Sequence, residues 1–85
     1  MSGAQPAPLR LLTRADCSLC ETMRSELARL AARTPLPPVE VLDVDTDPEL
    51  ARRYGLKIPV LLWGTSLVCH HRLDESELLR LLRRA

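Results

Sequence analysis

The chain has 85 residues, of which 46% are hydrophobic and 27% charged, and its formal net charge is +1. That describes one small globular domain, too short for two domains and too apolar for a disordered chain. The near-neutral charge, with one Trp, one Tyr and no Phe, argues against a phosphate-dominated or base-stacking nucleic-acid binder. No apolar run is long enough to span a bilayer.

Residues 1–8, M-S-G-A-Q-P-A-P, read as a loose tail without the charged-then-apolar order of a secretory signal. The single domain is placed at 9–85, and the expected location is cytoplasmic. Leu9 to Thr13 forms a short apolar run that predicts a first strand. From Cys17 to Arg33 the period changes. Leu19, Met23, Leu27, Leu30 and Ala31 recur at three- and four-residue steps, the stripe of an amphipathic helix, with Arg24, Glu26, Arg29 and Arg33 opposite. Asp16 is the expected N-cap, and the prolines of T-P-L-P-P end the helix.

Val39 to Val44 is β-branched and predicts a second strand. Asp47 then caps a short helix, with Pro48 at its first position and Gly55 at its end. Lys57 to Trp63 predicts a third strand with a proline near its start. Gly64-Thr65 is a turn, and Ser66 to His71 a fourth strand, paired with the third as an antiparallel hairpin. D-E-S-E, Asp74 to Glu77, matches a capping box before a last helix whose inward stripe is Leu78, Leu81 and Leu82, widened by Leu79. The order is β-α-β-α-β-β-α. The first two strands should be parallel neighbours joined by a right-handed crossover, in a four-stranded mixed sheet with helices on both faces.

Two of the three cysteines, Cys17 and Cys20, stand three residues apart at the start of the first helix. Positions i and i+3 share one helix face, with β-carbons roughly 5–6 Å apart, so a disulfide can close there. A cysteine at a helix N-terminus meets unpaired N–H groups and the positive end of the dipole, and both favour its thiolate. Arg14 and Lys57 would favour the thiolate further, while Asp16 and Glu21 oppose it. The helix terminus acts through fixed geometry, so the Cys17 pKa is expected below the unperturbed value of about 8.5. Three cysteines do not make the dense even set of a secreted mini-protein, so a bond between them would be reversible rather than structural.

The phrases L-L-T-R-A-D-C-S-L-C and D-V-D-T-D-P-E-L-A-R-R-Y-G-L-K-I-P-V-L carry a resemblance. A short strand leads to C-S-L-C at a helix start, and about forty residues later I-P opens the third strand. From Leu9 onward the chain resembles the small bacterial glutaredoxin-like proteins of the thioredoxin-fold superfamily. The resemblance implies an α/β, thioredoxin-like fold of glutaredoxin size and a thiol–disulfide oxidoreductase. It makes Cys17 the nucleophile and Cys20 the resolving cysteine. Pro59 matches the family's cis-proline, and Ile58 before it matches the position whose backbone binds an extended substrate. Arg14 and Lys57 complete the expected substrate-binding set. No bound cofactor is implied. The partners would be a disulfide-containing protein or small-molecule disulfide, with glutathione or a dithiol reductase as reductant. A monomer is expected, without nucleic acid or membrane.

The chain departs from that pattern in three places. Ser-Leu separates the cysteines, no Trp precedes Cys17, and His70-His71-Arg72 stands where glutaredoxins carry Gly-Gly. Two other readings stay open. The thiols could be incidental on a binding module. Alternatively, Cys17, Cys20 and Cys69 with His70 or His71 could hold zinc. Cys69 alone reads as a small buried hydrophobe, and the two histidines, on a strand, should point to opposite sides.

Overall fold

The computed structural model describes residues 7–84, so most of the expected N-terminal tail, residues 1–6, lies outside the described residues. Four strands and three helices follow in chain order. They are β1 (Leu9–Thr13), α1 (Ser18–Arg33), β2 (Val39–Asp43), α2 (Pro48–Tyr54), β3 (Val60–Trp63), β4 (Ser66–His70) and α3 (Glu75–Arg84). A 3-10 turn, Val44–Thr46, links β2 to α2.

The sheet order is β2-β1-β3-β4. β1 runs parallel to β2, with Leu9 beside Val39 and Thr13 beside Asp43. β3 is antiparallel to both β1 and β4. β1 is therefore a central strand, and Leu9, Leu11 and Leu12 have no exposed surface. Side chains alternate across a strand, so Leu11 and Leu12 belong to different cores. Leu9, Leu11 and Leu61 pack under α1 and α3 with Met23, Leu27, Leu30 and Leu78. Leu12, Val60 and Leu62 form the other core, covered by Leu50 and Tyr54 of α2. Two helices thus lie on one face and one on the other.

A bulge between Leu61 and Leu62 shifts the β3–β4 register. It sets Val68 and Cys69, adjacent in the chain, into the same core. Gly64 turns the hairpin at φ 61, where a residue with a β-carbon is disfavoured. Trp63 Nε1 donates to the Ala7 carbonyl at 2.7 Å and ties down the start of β1. No described helix is long and apolar enough to cross a membrane.

Several boundaries differ from the sequence reading. β2 ends at Asp43, because Val44 leaves the strand to enter the 3-10 turn with its side chain fully buried. β3 begins at Val60, after Pro59, which has no N–H to give the ladder. In α1 the buried stripe is Cys20, Met23, Leu27 and Leu30, while Leu19 is 43% exposed and Ala31 is also outside. Cys20, Met23, Leu27 and Leu30 keep the three- and four-residue spacing of one face, so Cys20 continues the stripe and Leu19, one position earlier, falls outside it.

Candidate active site

The segment between β1 and α1 is short and firmly placed. Arg14 donates from Nε and Nη2 to the Asp45 carboxylate at 2.8 and 3.0 Å, and from Nη1 to the Gly55 carbonyl at 3.1 Å. One guanidinium thereby joins the loop before the cysteines to the 3-10 turn and to the end of α2. This bidentate pairing holds Asp45 below the ordinary carboxylate range and raises Arg14. A side chain at Gly55 would collide with the Ala51 carbonyl and press on the same guanidinium. The other two carboxylates of D-V-D-T-D are also engaged. Asp43 Oδ1 accepts from the Asp45 amide at 2.9 Å, and Asp47 Oδ1 caps α2 through the amides of Glu49 and Leu50.

Asp16 takes φ 56, a left-handed conformation that Asp tolerates better than most residues. It therefore does not cap α1. The turn at Asp16 puts Cys17 in extended backbone at the N-cap, where its sulfur accepts the Cys20 amide at 3.1 Å. Cys17 and Cys20 form a disulfide, with Cα atoms 5.2 Å apart. Their surroundings differ. Cys17 is half-buried at the helix mouth, while Cys20 is 2% exposed in the core stripe. One sulfur lies toward the surface, and the other is enclosed in the core.

The I-P dipeptide lies in the loop between α2 and β3. The Ile58–Pro59 peptide bond is cis. Ile58 packs against the α2-side core, Pro59 is buried and Lys57 is exposed. Leu56, just before them, is 97% exposed. The His71 amide donates to the Pro59 carbonyl at 2.8 Å, which joins this loop to the end of β4.

From there the chain forms one wall of a groove of about 300 Å³. His71, Arg72 and Leu73 line one side, and Leu19, Met23 and Glu26 of α1 the other. Leu19 lies between the two cysteines in sequence, and neither cysteine lines the groove. Sequence reasoning placed Leu19 in the core and missed the groove. The exposure of Leu19 follows from Cys20 taking the first place in the buried stripe.

Cys69 is 8% exposed, and burial pushes its thiol pKa up, opposed by a hydrogen bond from the Asp74 amide. Among the described residues no three His, Cys, Asp or Glu side chains are grouped to hold a metal. The zinc set of Cys17, Cys20, Cys69 and a histidine is thus not brought together. Separate elements position its members, at the mouth of α1, in the β4 core and at the strand end. The histidines also depart from expectation. β4 ends at His70, His71 takes φ 67, and the two Nδ1 atoms face each other at 2.8 Å.

A strand, a cysteine pair opening a helix, a cis-proline loop and a closing hairpin occur here in one order and one sheet. The glutaredoxin-like domain family (DUF836) matches residues 8–83. The chain belongs to that family. This glutaredoxin-like domain resembles a protein from Nitrosomonas europaea, solved by solution NMR, at 28% identity. The match covers 96% of each chain, with a TM-score of 0.75. An X-ray structure of a protein from X. campestris is 31% identical over 91% of this chain and 97% of that one, with a TM-score of 0.67. Thioredoxin from Fasciola hepatica, 19% identical over 91% of this chain and 78% of its own, shares the fold with a TM-score of 0.56. A comparison with curated proteins finds no match.

Proposed function

We propose that this glutaredoxin-like domain is a thiol–disulfide oxidoreductase working through Cys17 and Cys20. The observation that carries the reading is the asymmetry of the pair. The half-buried sulfur caps a helix and accepts an amide N–H, and its partner is buried one turn in. The capping N–H and the helix terminus stabilise the negative charge of a Cys17 thiolate. The reduced domain acts in two exchanges. Cys17 thiolate attacks one sulfur of a substrate disulfide, forms a mixed disulfide and expels the other sulfur as thiolate. Cys20 then loses its proton and attacks the Cys17 sulfur, which closes the internal disulfide and releases the second substrate thiolate. Two electrons pass to the substrate, and two protons end on its thiols.

Ile58 and Pro59, with Lys57 at the rim, are the proposed contact for an extended substrate segment, and the exposed Leu19 and Leu56 offer it apolar surface. Arg14, expected beside the substrate, has its donors committed to Asp45 and Gly55, so its proposed part is to hold the loop that presents Cys17. No bound cofactor enters the exchange. A thiol of the glutathione class or a dithiol protein must re-reduce the pair. That requirement fits a monomer in a reducing compartment such as the cytoplasm.

Trapping tests the order of attack. Cys20→Ser should accumulate a mixed disulfide with a disulfide substrate that the wild type resolves, and Cys17→Ser should form none. Equal trapping by both variants, or by neither, overturns the proposal and favours a binding module with incidental thiols.

A further inference from the structure

The mechanism leaves His70 and His71 unused, and their arrangement is not that of two surface histidines on a strand. Neighbouring strand residues point to opposite sides. Here the Arg72 amide donates to the His70 carbonyl at 2.8 Å around His71 at φ 67, which closes a γ-turn. Few residues with a β-carbon adopt that φ. The turn is fixed on both flanks, since His70 pairs with Val60 in the ladder and the His71 amide donates to the Pro59 carbonyl. Its effect is to fold the second ring back onto the first. The ring centroids lie 4.8 Å apart with planes at 70°, and both side chains are exposed.

We infer that the His70–His71 dyad is a bidentate chelate for a late first-row divalent cation of the Cu(II) or Ni(II) type, bound through both Nδ1 atoms. The Nδ1 separation is 2.8 Å. A metal about 2.0–2.1 Å from each nitrogen would see them at roughly 84–89°. That is the cis angle of square-planar and octahedral sites, the geometry of Cu(II) and Ni(II). In the free pair one Nδ1–H is shared with the other Nδ1. On binding that proton shifts to Nε2 of its own ring, and both rings turn about χ2, a broad torsion in histidine, so that the two nitrogens that faced each other converge on the ion. Water fills the remaining positions. The site stands independently of the oxidoreductase reading, because a redox-inactive domain would keep the same turn.

The test uses the full chain without an affinity tag, its Cys17–Cys20 disulfide intact so that the buried Cys69 is the one thiol left. Cu(II) is titrated by calorimetry, and its coordination is read by electron paramagnetic resonance. The expected result is one Cu(II) per chain with hyperfine coupling to two nitrogens. His71→Gly keeps a residue that accepts the positive φ while deleting the ring, and it should weaken binding by more than about tenfold. His70→Gln should do the same. Two-dimensional NMR of the imidazoles supplies an arm free of substitutions, in which substoichiometric Cu(II) broadens both rings together. Equal affinity in wild type and both variants, or histidine signals unmoved by Cu(II), overturns the proposal and leaves only a proton-sharing pair.

Discussion

The amide of Cys20 donates to the sulfur of Cys17 at 3.1 Å, so the residue that caps α1 is also the accessible half of the disulfide. Capping and chemistry therefore separate by substitution. Under reducing conditions Cys17→Ser should match or exceed wild-type stability, since Ser is among the preferred caps, while Cys17→Ala loses about 0.5 kcal/mol or more. Both variants should be inactive in disulfide exchange. Urea midpoints in reductant, measured beside the exchange rate, check this.

In the reduced domain Cys17 should react with an alkylating reagent well before Cys20, at neutral pH and in the folded state. Cys17 is half-buried at a helix terminus, and Cys20 is 2% exposed. The Cys17 pKa, followed by the pH dependence of alkylation, should fall below the ordinary cysteine value of about 8.5. A value near 9 would contradict the role given to the cap.

Asp45 titrates low in the folded chain because Arg14 hydrogen-bonds its carboxylate. A depressed carboxylate stabilises the fold above its unfolded pKa of about 3.9 and ceases to do so as pH falls through the folded value. Asp45→Asn should therefore be less stable than wild type at pH 7 and approach it in strong acid. Urea unfolding at pH 7 and below pH 3 measures the convergence.

Cys69 titrates high because it is buried. Unfolding releases an ordinary thiol, so this group favours the fold fully below about 8.5, and its contribution fades as pH rises beyond that. Cys69→Ala should show a flatter alkaline limb in the same unfolding experiment. With the Cys17–Cys20 pair oxidised, thiol counting should find no reactive group in the native chain and one in urea.

Leu11 is fully buried on the central strand, and Leu56 is 97% exposed. Leu11→Ala should cost about 2–5 kcal/mol, much of the stability of a small domain. Leu56→Ser should stay within about 0.5 kcal/mol of wild type. Chemical denaturation of both variants checks the contrast.

The fold was largely legible because period and punctuation agreed. The shift from alternating to helical spacing at Cys17, Pro48 after Asp47, and Asp74 before α3 each marked a real boundary. What escaped depended on single backbone angles and long-range pairing. Asp16 is a common cap residue, but its φ of 56 hands the cap to Cys17. The buried stripe begins at Cys20 rather than Leu19, a choice that helical spacing back from Met23 leaves open. His71 leaves the strand through its φ of 67, although its amide still reaches the Pro59 carbonyl in register with the ladder, twelve positions earlier, a bond no local pattern announces. The antiparallel placement of β3 against β1 likewise rests on contacts far apart in sequence. In the site, the spacing of Cys17 and Cys20 was legible. The committed state of Arg14 was not, since Asp45 meets it only after β2 is laid beside β1.

As proposed, Cys17 and Cys20 form a cycling pair. Thiol counting in the folded protein across a glutathione redox series tests it most directly, with Cys17→Ser as control. The account predicts that two thiols appear and disappear together at one potential in the wild type, and that this transition is absent from Cys17→Ser. A wild-type chain whose thiol count stays constant across the series, or changes in the same way without Cys17, would contradict it.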